Sequence, residues 1–307
     1  MTRRRPTDPW DPTVLTILTI AAMAAALAIG LAANHYRRRR APEDADEETA
    51  PISDLISPLE TLAVLLVAFV IVVAAESFGT AGQAVGAEAH RVDQLYEVAD
   101  YAPEPQRERI QADAVCYARA ILAYEWPQMD KNGEKAPEVS VWSSDFRRHF
   151  KELARTDAGT LDLLVDADDE RSVARQTRLS EAAPAIPPVV YWFMVVALAA
   201  TIGAFAFGLP ARRGPSHLVL LFVLAGLFTG SLLLIEDIDR PFSGQIHVSS
   251  TAMEDTVADI GEDFAADHPG RPLPCDAHGA RMSAGPEPGR TGAPVPRALG
   301  SPDSARP

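Results

Sequence analysis

The chain has 307 residues, a formal net charge of -14 and 47% hydrophobic residues. An acidic chain lacks the basic face that phosphate binding needs, which argues against nucleic acid as a partner. Cys116 and Cys275 are the only cysteines and lie far apart, so we predict neither a disulfide framework nor a metal cluster. The apolar residues are concentrated in four runs, a distribution typical of a membrane protein.

The first apolar run, residues 13–34, follows an N-terminal tail of residues 1–12 and contains no charged residue. A membrane-spanning helix needs roughly 20 apolar residues, so this run is long enough to be transmembrane helix 1. Arg3–Arg5 precede it, which also fits a signal peptide. The length of the run and the Arg37–Arg40 block after it favour a retained span.

Three further runs complete a predicted all-α integral membrane protein with four transmembrane helices in a bacterial inner membrane. Charges or prolines close each run, and an uninterrupted apolar stretch is typical of contact with the lipid bilayer. Between the second and third runs lies the one sizeable polar segment, predicted as a helical extramembrane domain. The predicted order is an acidic linker 35–58, span two 59–75, the domain 76–186, span three 189–208 and span four 218–235.

Within the polar segment, apolar residues recur at three- and four-residue steps, which predicts helices over 106–124, 144–155 and 160–183. The turn-rich stretch 131–137 separates the first of these from the second. After span four we distinguish a post-membrane segment, 236–263, from a tail, 264–307. The tail is rich in Pro, Gly, Ala and Arg, and we predict it to be disordered because it has little apolar surface to bury.

Three polar motifs accompany this pattern of spans. The first is Glu125-Trp126-Pro127, and the second is Arg175-x-x-Arg178 before span three. The third follows span four and comprises Asp239, Arg240, Pro241, Phe242 and Gly244. Together with the order of the spans, these motifs resemble the bestrophin-like family of bacterial membrane proteins, long catalogued as a domain of unknown function. The resemblance covers residues 55–260.

The resemblance implies a distant relation to the bestrophin anion channels, which are pentamers with a pore lined by the second span. It therefore implies a homo-oligomer that conducts small anions, with its central domain in the cytoplasm. The arginines near the spans divide about evenly between the two sides and do not decide the orientation. In animal bestrophins an acidic stretch after the fourth span binds calcium.

Several residues allow two interpretations. Glu236, Asp237 and Asp239 could be oxygen ligands of a cation, or could cap the end of a helix while Asp237 or Asp239 pairs with Arg240; we favour the second. Glu125 could be a carboxylate of a conduction path, or the end of a helix before Trp126-Pro127, which we favour.

Gly226 and Gly230 form a G-x-x-x-G pair in span four, which predicts close helix packing within or between subunits.

The favoured function is an oligomeric, bestrophin-like anion channel. The alternative is a membrane-anchored sensory or scaffolding protein that binds partners through its helical domain. No nucleotide, catalytic-serine or zinc motif occurs in the sequence, so we expect no enzyme and no cofactor.

Overall fold

The computed structural model of the protein describes residues 12–40, 50–155, 158–209 and 215–282. Within these ranges the regular elements are helices, and the only β-type pairing there is an isolated bridge between Cys275 and Arg281. The main helices are α1 (Pro12–Arg40), α2 (Ala50–Val98), α3 (Gln106–Ala120), α4 (Trp126–Asn132), α5 (Pro137–Leu153), α6 (Ala158–Ser180), α7 (Pro188–Gly208), α8 (Pro215–Ile238) and α9 (Thr251–Asp267).

Four helices, α1, α2, α7 and α8, are long and apolar enough to cross a membrane. Their outward-facing side chains include Ile29, Leu65 and Leu220, all largely exposed. Large apolar side chains on the outside of a helix bundle are favourable in lipid and costly in water. The structure therefore confirms the predicted class, an all-α integral membrane protein with four transmembrane helices and a helical extramembrane domain.

Helix α2 is a single element of 49 residues that crosses the membrane and enters the extramembrane domain without a break. The predicted span 59–75 and the first part of the predicted domain therefore lie on one continuous helix. After residue 75 the sequence has no proline before Pro103 and is rich in good helix formers. One face, with Val85, Val92 and Leu95, is buried against the domain and stabilises the extension.

The extramembrane domain is built around α3, most of which is buried. Helices α5, α6 and α9 and the end of α2 surround α3, with Trp142, Phe146 and Tyr117 in the core. The three predicted helices of this domain are present with changed bounds. The largest change is in α5, which begins at Pro137 and not at residue 144, because a proline suits the first turn of a helix.

Two predictions about the C-terminal part are wrong. Helix α9 continues to Asp267, and residues 268–282 pack on the domain, whereas residues 264–307 were predicted to be disordered; residues 283–307 lie outside the described ranges. A disulfide joins Cys275 to Cys116 on α3, so the prediction that the two cysteines form no disulfide is the second that is wrong. The indole of Trp142 also donates a hydrogen bond to the carbonyl of Gly279 at 2.9 Å. The segment is ordered because the domain core supplies contacts that its own composition lacks.

Helices α1 and α7 make a close crossing that the sequence did not reveal. Gly30 of α1 lies directly against Gly203 of α7, and a Cβ at Gly30 would overlap the backbone there. Near the end of this contact, Asn34 donates hydrogen bonds to the carbonyls of Ala206 and Leu209 at 3.0 and 3.2 Å. At Gly226 and Gly230 of α8 an added Cβ would meet nothing within 4 Å, so this pair makes no close helix contact within the described part of the chain. Contact of this pair with another subunit stays a prediction.

We expect Gly30→Ala to lower the midpoint of thermal unfolding in detergent, because the added methyl group clashes with α7. Overpacking of this kind costs about 1–3 kcal/mol. The matched control is Gly226→Ala, which adds the same group where nothing lies within 4 Å. Equal midpoints for the two variants would contradict the close crossing.

Candidate functional site

The chain leaves α3 through one π-helical turn, Ile121–Glu125, and continues directly into α4. Pro127 lies in the first turn of α4, where its missing N–H is tolerated. The wider π turn lets the helical path continue past the proline. Glu125 is therefore the last residue of the π turn and the N-cap of α4, and the helical path continues beyond it. The turn carries Glu125 into the interior, where its side chain is fully buried.

Five side chains from four elements meet around Glu125, and we call them the Glu125 cluster: Glu88, Tyr117, Glu125, Arg175 and Arg178. Arg178 bridges the two carboxylates, pairing with Glu88 of α2 and with Glu125. Arg175 pairs with Glu125, with 3.1 Å between Nε and Oε1. Tyr117 donates a hydrogen bond to Glu88 at 2.7 Å.

The charges of the cluster balance, with two carboxylates and two guanidinium groups. Burial by itself raises the pKa of Glu125, but the hydrogen bonds and charges of Arg175 and Arg178 outweigh it and hold this pKa below its usual range. The pKa of the Tyr117 phenol is raised by burial and then by the neighbouring Glu88 carboxylate. The cluster therefore stays ionised at Glu125 and keeps Tyr117 as a neutral hydrogen-bond donor.

The cluster is connected to the segment after α8 through Trp126. The guanidinium of Arg178 lies 5.8 Å from the centre of the Trp126 ring, and Phe242 packs edge-on against that ring at 5.6 Å. The carbonyl of Pro241 accepts a hydrogen bond from the Val248 amide at 2.7 Å. Residues from all three sequence motifs are thus brought together where the domain meets the end of α8.

Replacing Arg178 leaves two buried carboxylates with a single remaining counter-charge. We expect Arg178→Met to destabilise the domain by about 3–5 kcal/mol, the usual cost of breaking a buried ion pair from one side. The measurement is thermal unfolding of the purified protein.

The control variant is Arg91→Met, which breaks the partly exposed pair of Arg91 with Glu170. Such a pair contributes at most about 1 kcal/mol. A similar loss in both variants would show that the Glu125 cluster is not a special source of stability.

The three carboxylates after span four point to different partners. Glu236 accepts hydrogen bonds from the Thr16 hydroxyl of α1 at 3.2 and 3.3 Å and lies 3.7 Å from Arg240. Asp239 accepts hydrogen bonds from the amides of Ala185 and Ile186, at 2.9 and 3.0 Å, just before α7.

Asp237 caps the loop that follows, accepting hydrogen bonds from the amides of Gln245 and Ile246 at 2.9 and 2.8 Å. Gly244 lies directly over this carboxylate with φ +91°, so the position has neither room for a Cβ nor a conformation that suits one.

The cation-site interpretation of these carboxylates is not supported. Among the residues that the structure describes, no group of three or more acidic, histidine or cysteine side chains could hold a metal ion. The capping interpretation fits Asp237 and Asp239, which bind backbone amides. The predicted partner of Arg240 was wrong, because its ion pair is with Glu236. Glu236 thus connects the end of α8 to α1, Asp239 connects it to the residues just before α7, and Asp237 connects it to the loop that follows.

The ionisation of Asp239 makes the stability of the contact between the end of α8 and the start of α7 depend on pH. Burial raises its pKa from 3.8 to about 6, against the opposing effect of the two amide hydrogen bonds. Because the folded-state pKa is the higher one, the protonated form stabilises the fold below about pH 4, and this contribution is lost as the pH rises through 6. We expect the free energy of unfolding to fall over this interval by about 3 kcal/mol, because each unit of pKa shift corresponds to about 1.4 kcal/mol.

The variant that tests this is Asp239→Asn, whose amide oxygen can still accept both hydrogen bonds but does not titrate. Its unfolding midpoint should vary less between pH 4 and 7 than that of the parent protein. Identical pH profiles would exclude Asp239 as the titrating group.

The outward face of α2 is a second candidate site. Inside the membrane it presents Leu65, Phe69 and Val72, with 63, 69 and 62% of their surfaces exposed. In the extramembrane part the same face continues with exposed Glu76 and His90. The first four of these positions recur at three- and four-residue steps, and His90 lies about four helical turns beyond Glu76, so they form one stripe along the helix. In the described ranges this stripe has no covering element.

Sequence reasoning missed Glu88 and Tyr117. A signal for Glu88 was available, since it falls between Val85 and Val92 at helical spacing, where a buried apolar residue is the norm. A carboxylate at such a position needs a buried partner. Nothing in the sequence indicated which arginine that partner would be.

The fold, the Glu125 cluster and the carboxylates after span four define one class of protein. It is an integral membrane protein in which four membrane-spanning helices are joined to a helical extramembrane domain. The family model of the Bestrophin-like domain matches residues 18–253, and the chain belongs to this family. The match begins within α1, so the first span is part of the family domain. The resemblance seen in the sequence placed this span outside.

Solved structures share the fold at low sequence identity. A mutant of a bacterial bestrophin homologue from Klebsiella pneumoniae has a TM-score of 0.59 at 13% identity, covering 80% of this chain and 98% of that chain. Another structure of a bacterial bestrophin homologue from the same organism has a TM-score of 0.54 at 14% identity, with 81 and 99% covered. The crystal structure of a mutant of a membrane protein has a TM-score of 0.60 at 14% identity, covering 81% of this chain and 99% of that chain. No curated protein matches the chain in sequence.

Proposed function

We propose that several copies of this chain assemble in the bacterial inner membrane as an ion channel, with α2 lining the pathway and small anions as permeant ions. Membership of the Bestrophin-like family supports a channel more than an enzyme. The observation that carries the proposal is the uncovered stripe of α2, which is apolar in the membrane and polar beyond it.

The stripe differs from the other outward faces of the bundle. The exposed residues of α7 and α8, such as Phe193 and Leu227, belong to helices that end near the membrane boundary, and lipid alone is enough to cover them. The stripe of α2 passes through the membrane and continues along the domain. A ring of such helices would form a narrow apolar section at Phe69 followed by a wider polar section. Apolar constrictions of this kind gate channels by dewetting.

The charge of the stripe bears on selectivity. Glu76 is the first ionisable residue of α2 beyond the apolar section, and its side chain is exposed. In a ring of subunits these carboxylates would face one another and repel anions at the entrance of the apolar section. Glu76 therefore limits anion flow in the proposed channel, and its neutralisation should relieve that limit.

We expect the purified protein to form an oligomer and to release chloride from liposomes. Glu76→Gln should raise the ratio of chloride to sodium permeability several-fold, because it removes a ring of negative charges. The control is Glu138→Gln, an equal change of charge at an exposed site on α5.

A monomeric protein that passes no small ion would overturn the channel proposal. In that event the scaffolding alternative takes its place, with co-purification of one partner dependent on residues 76–186 as its test. An oligomer that conducts but gives equal selectivity in both variants would retain the channel and remove α2 from its pathway.

A further inference from the structure

We infer that the extramembrane domain faces the oxidising, extracytoplasmic side of the membrane, opposite to the orientation that the resemblance to bestrophins implies. The inference begins with the disulfide between Cys116 and Cys275. Disulfides persist in secreted and periplasmic compartments and are rare in the cytosol, where thiols are kept reduced.

The two cysteines are held together by the fold of the domain. Cys116, in the C-terminal half of α3, has no exposed surface, and Cys275 is almost fully buried. Gly279 sits against the backbone of Cys116 and Ala120 so tightly that a Cβ would overlap it. The C-terminal segment therefore brings Cys275 against α3 by several contacts besides the bond itself. In the described ranges no free cysteine remains.

Closing the bond is an oxidation with a defined partner. Each thiol gives up one proton and one electron as the two sulfur atoms join. A protein disulfide of the extracytoplasmic thiol-oxidising machinery accepts both electrons and both protons and becomes a dithiol. Because 159 positions separate the cysteines and α7 and α8 lie between them, the bond can form only after both helices have been inserted.

The arginines near the spans do not by themselves decide between the two orientations. The structure defines two faces: Thr16 of α1 meets Glu236 of α8 next to the domain, and Arg38 at the end of α1 meets the carbonyl of Leu209 beyond α7 on the far side. The loops on the far face contain six arginines, Arg37–Arg40 with Arg212 and Arg213, of which the last two lie outside the described residues.

The short segments connected to the face next to the domain contain four arginines, Arg240 and Arg3–Arg5, of which the last three lie outside the described residues. Arg91, Arg175 and Arg178 of the segment 76–186 also lie near the spans on this face, and the last two are enclosed in the Glu125 cluster. The two faces therefore carry similar numbers of arginines, and the orientation is inferred from the disulfide.

Orientation can be measured with two matched variants, Ser144→Cys on α5 of the domain and Ser216→Cys at the start of α8 on the far face; both serines are exposed. Cys116 and Cys275 are buried, so the introduced cysteine is the accessible thiol in each variant. In intact spheroplasts a membrane-impermeant maleimide should label Ser144→Cys, and Ser216→Cys should react only after permeabilisation. The reverse pattern overturns the proposal.

The bond itself is tested in cells quenched with acid, denatured and treated with a small maleimide before reduction. The wild-type protein should then accept two polyethylene-glycol maleimides after reduction and none before it. The control Cys275→Ser has a single thiol that the small maleimide blocks at once. Two thiols blocked in the wild type before reduction would overturn the proposal. Neither measurement depends on conduction, so a silent channel leaves this inference unaffected.

Discussion

The guanidinium of Arg178 between the carboxylates of Glu88 and Glu125 is the interaction on which the extramembrane domain depends. All three side chains are fully buried, and an ion in such a place is tolerated only with close partners. Each of the three belongs to a different element: α2, α6 and the π turn after α3. The position of α6 relative to α2 is therefore fixed by charge as well as by packing.

Arg178 is also connected, through Trp126, to the segment that follows the last span. Its guanidinium faces Trp126, and Trp126 meets Phe242 just after the last span. Ion pairing, ring packing and the capping of backbone amides by Asp237 and Asp239 thus form a continuous set of contacts from the domain to the ends of α7 and α8. This set brings together three polar motifs of the sequence that are distant along the chain.

Much of the membrane architecture could be predicted from the sequence, because an apolar run of sufficient length has few alternatives in a polar chain. The motif residues Glu125, Arg178 and Phe242 were also identified. Their contacts were not, since a buried pair leaves no periodic signal that names its partner. The disulfide and the order of residues 264–282 were missed for the same reason. Both depend on a core contributed by helices more than 100 residues earlier.

The continuity of α2 has a mechanical consequence. At about 1.5 Å per residue, its 49 residues extend over about 74 Å. A rigid rod of that length acts as a lever, and a tilt of about 5° about one end displaces the other by about 6 Å. In the extramembrane part of α2, Glu88 is paired with Arg178 of α6, and Phe69 lies in the membrane part of the same helix. A rotation of the domain is therefore coupled geometrically to a tilt of the part of α2 that lies in the bilayer.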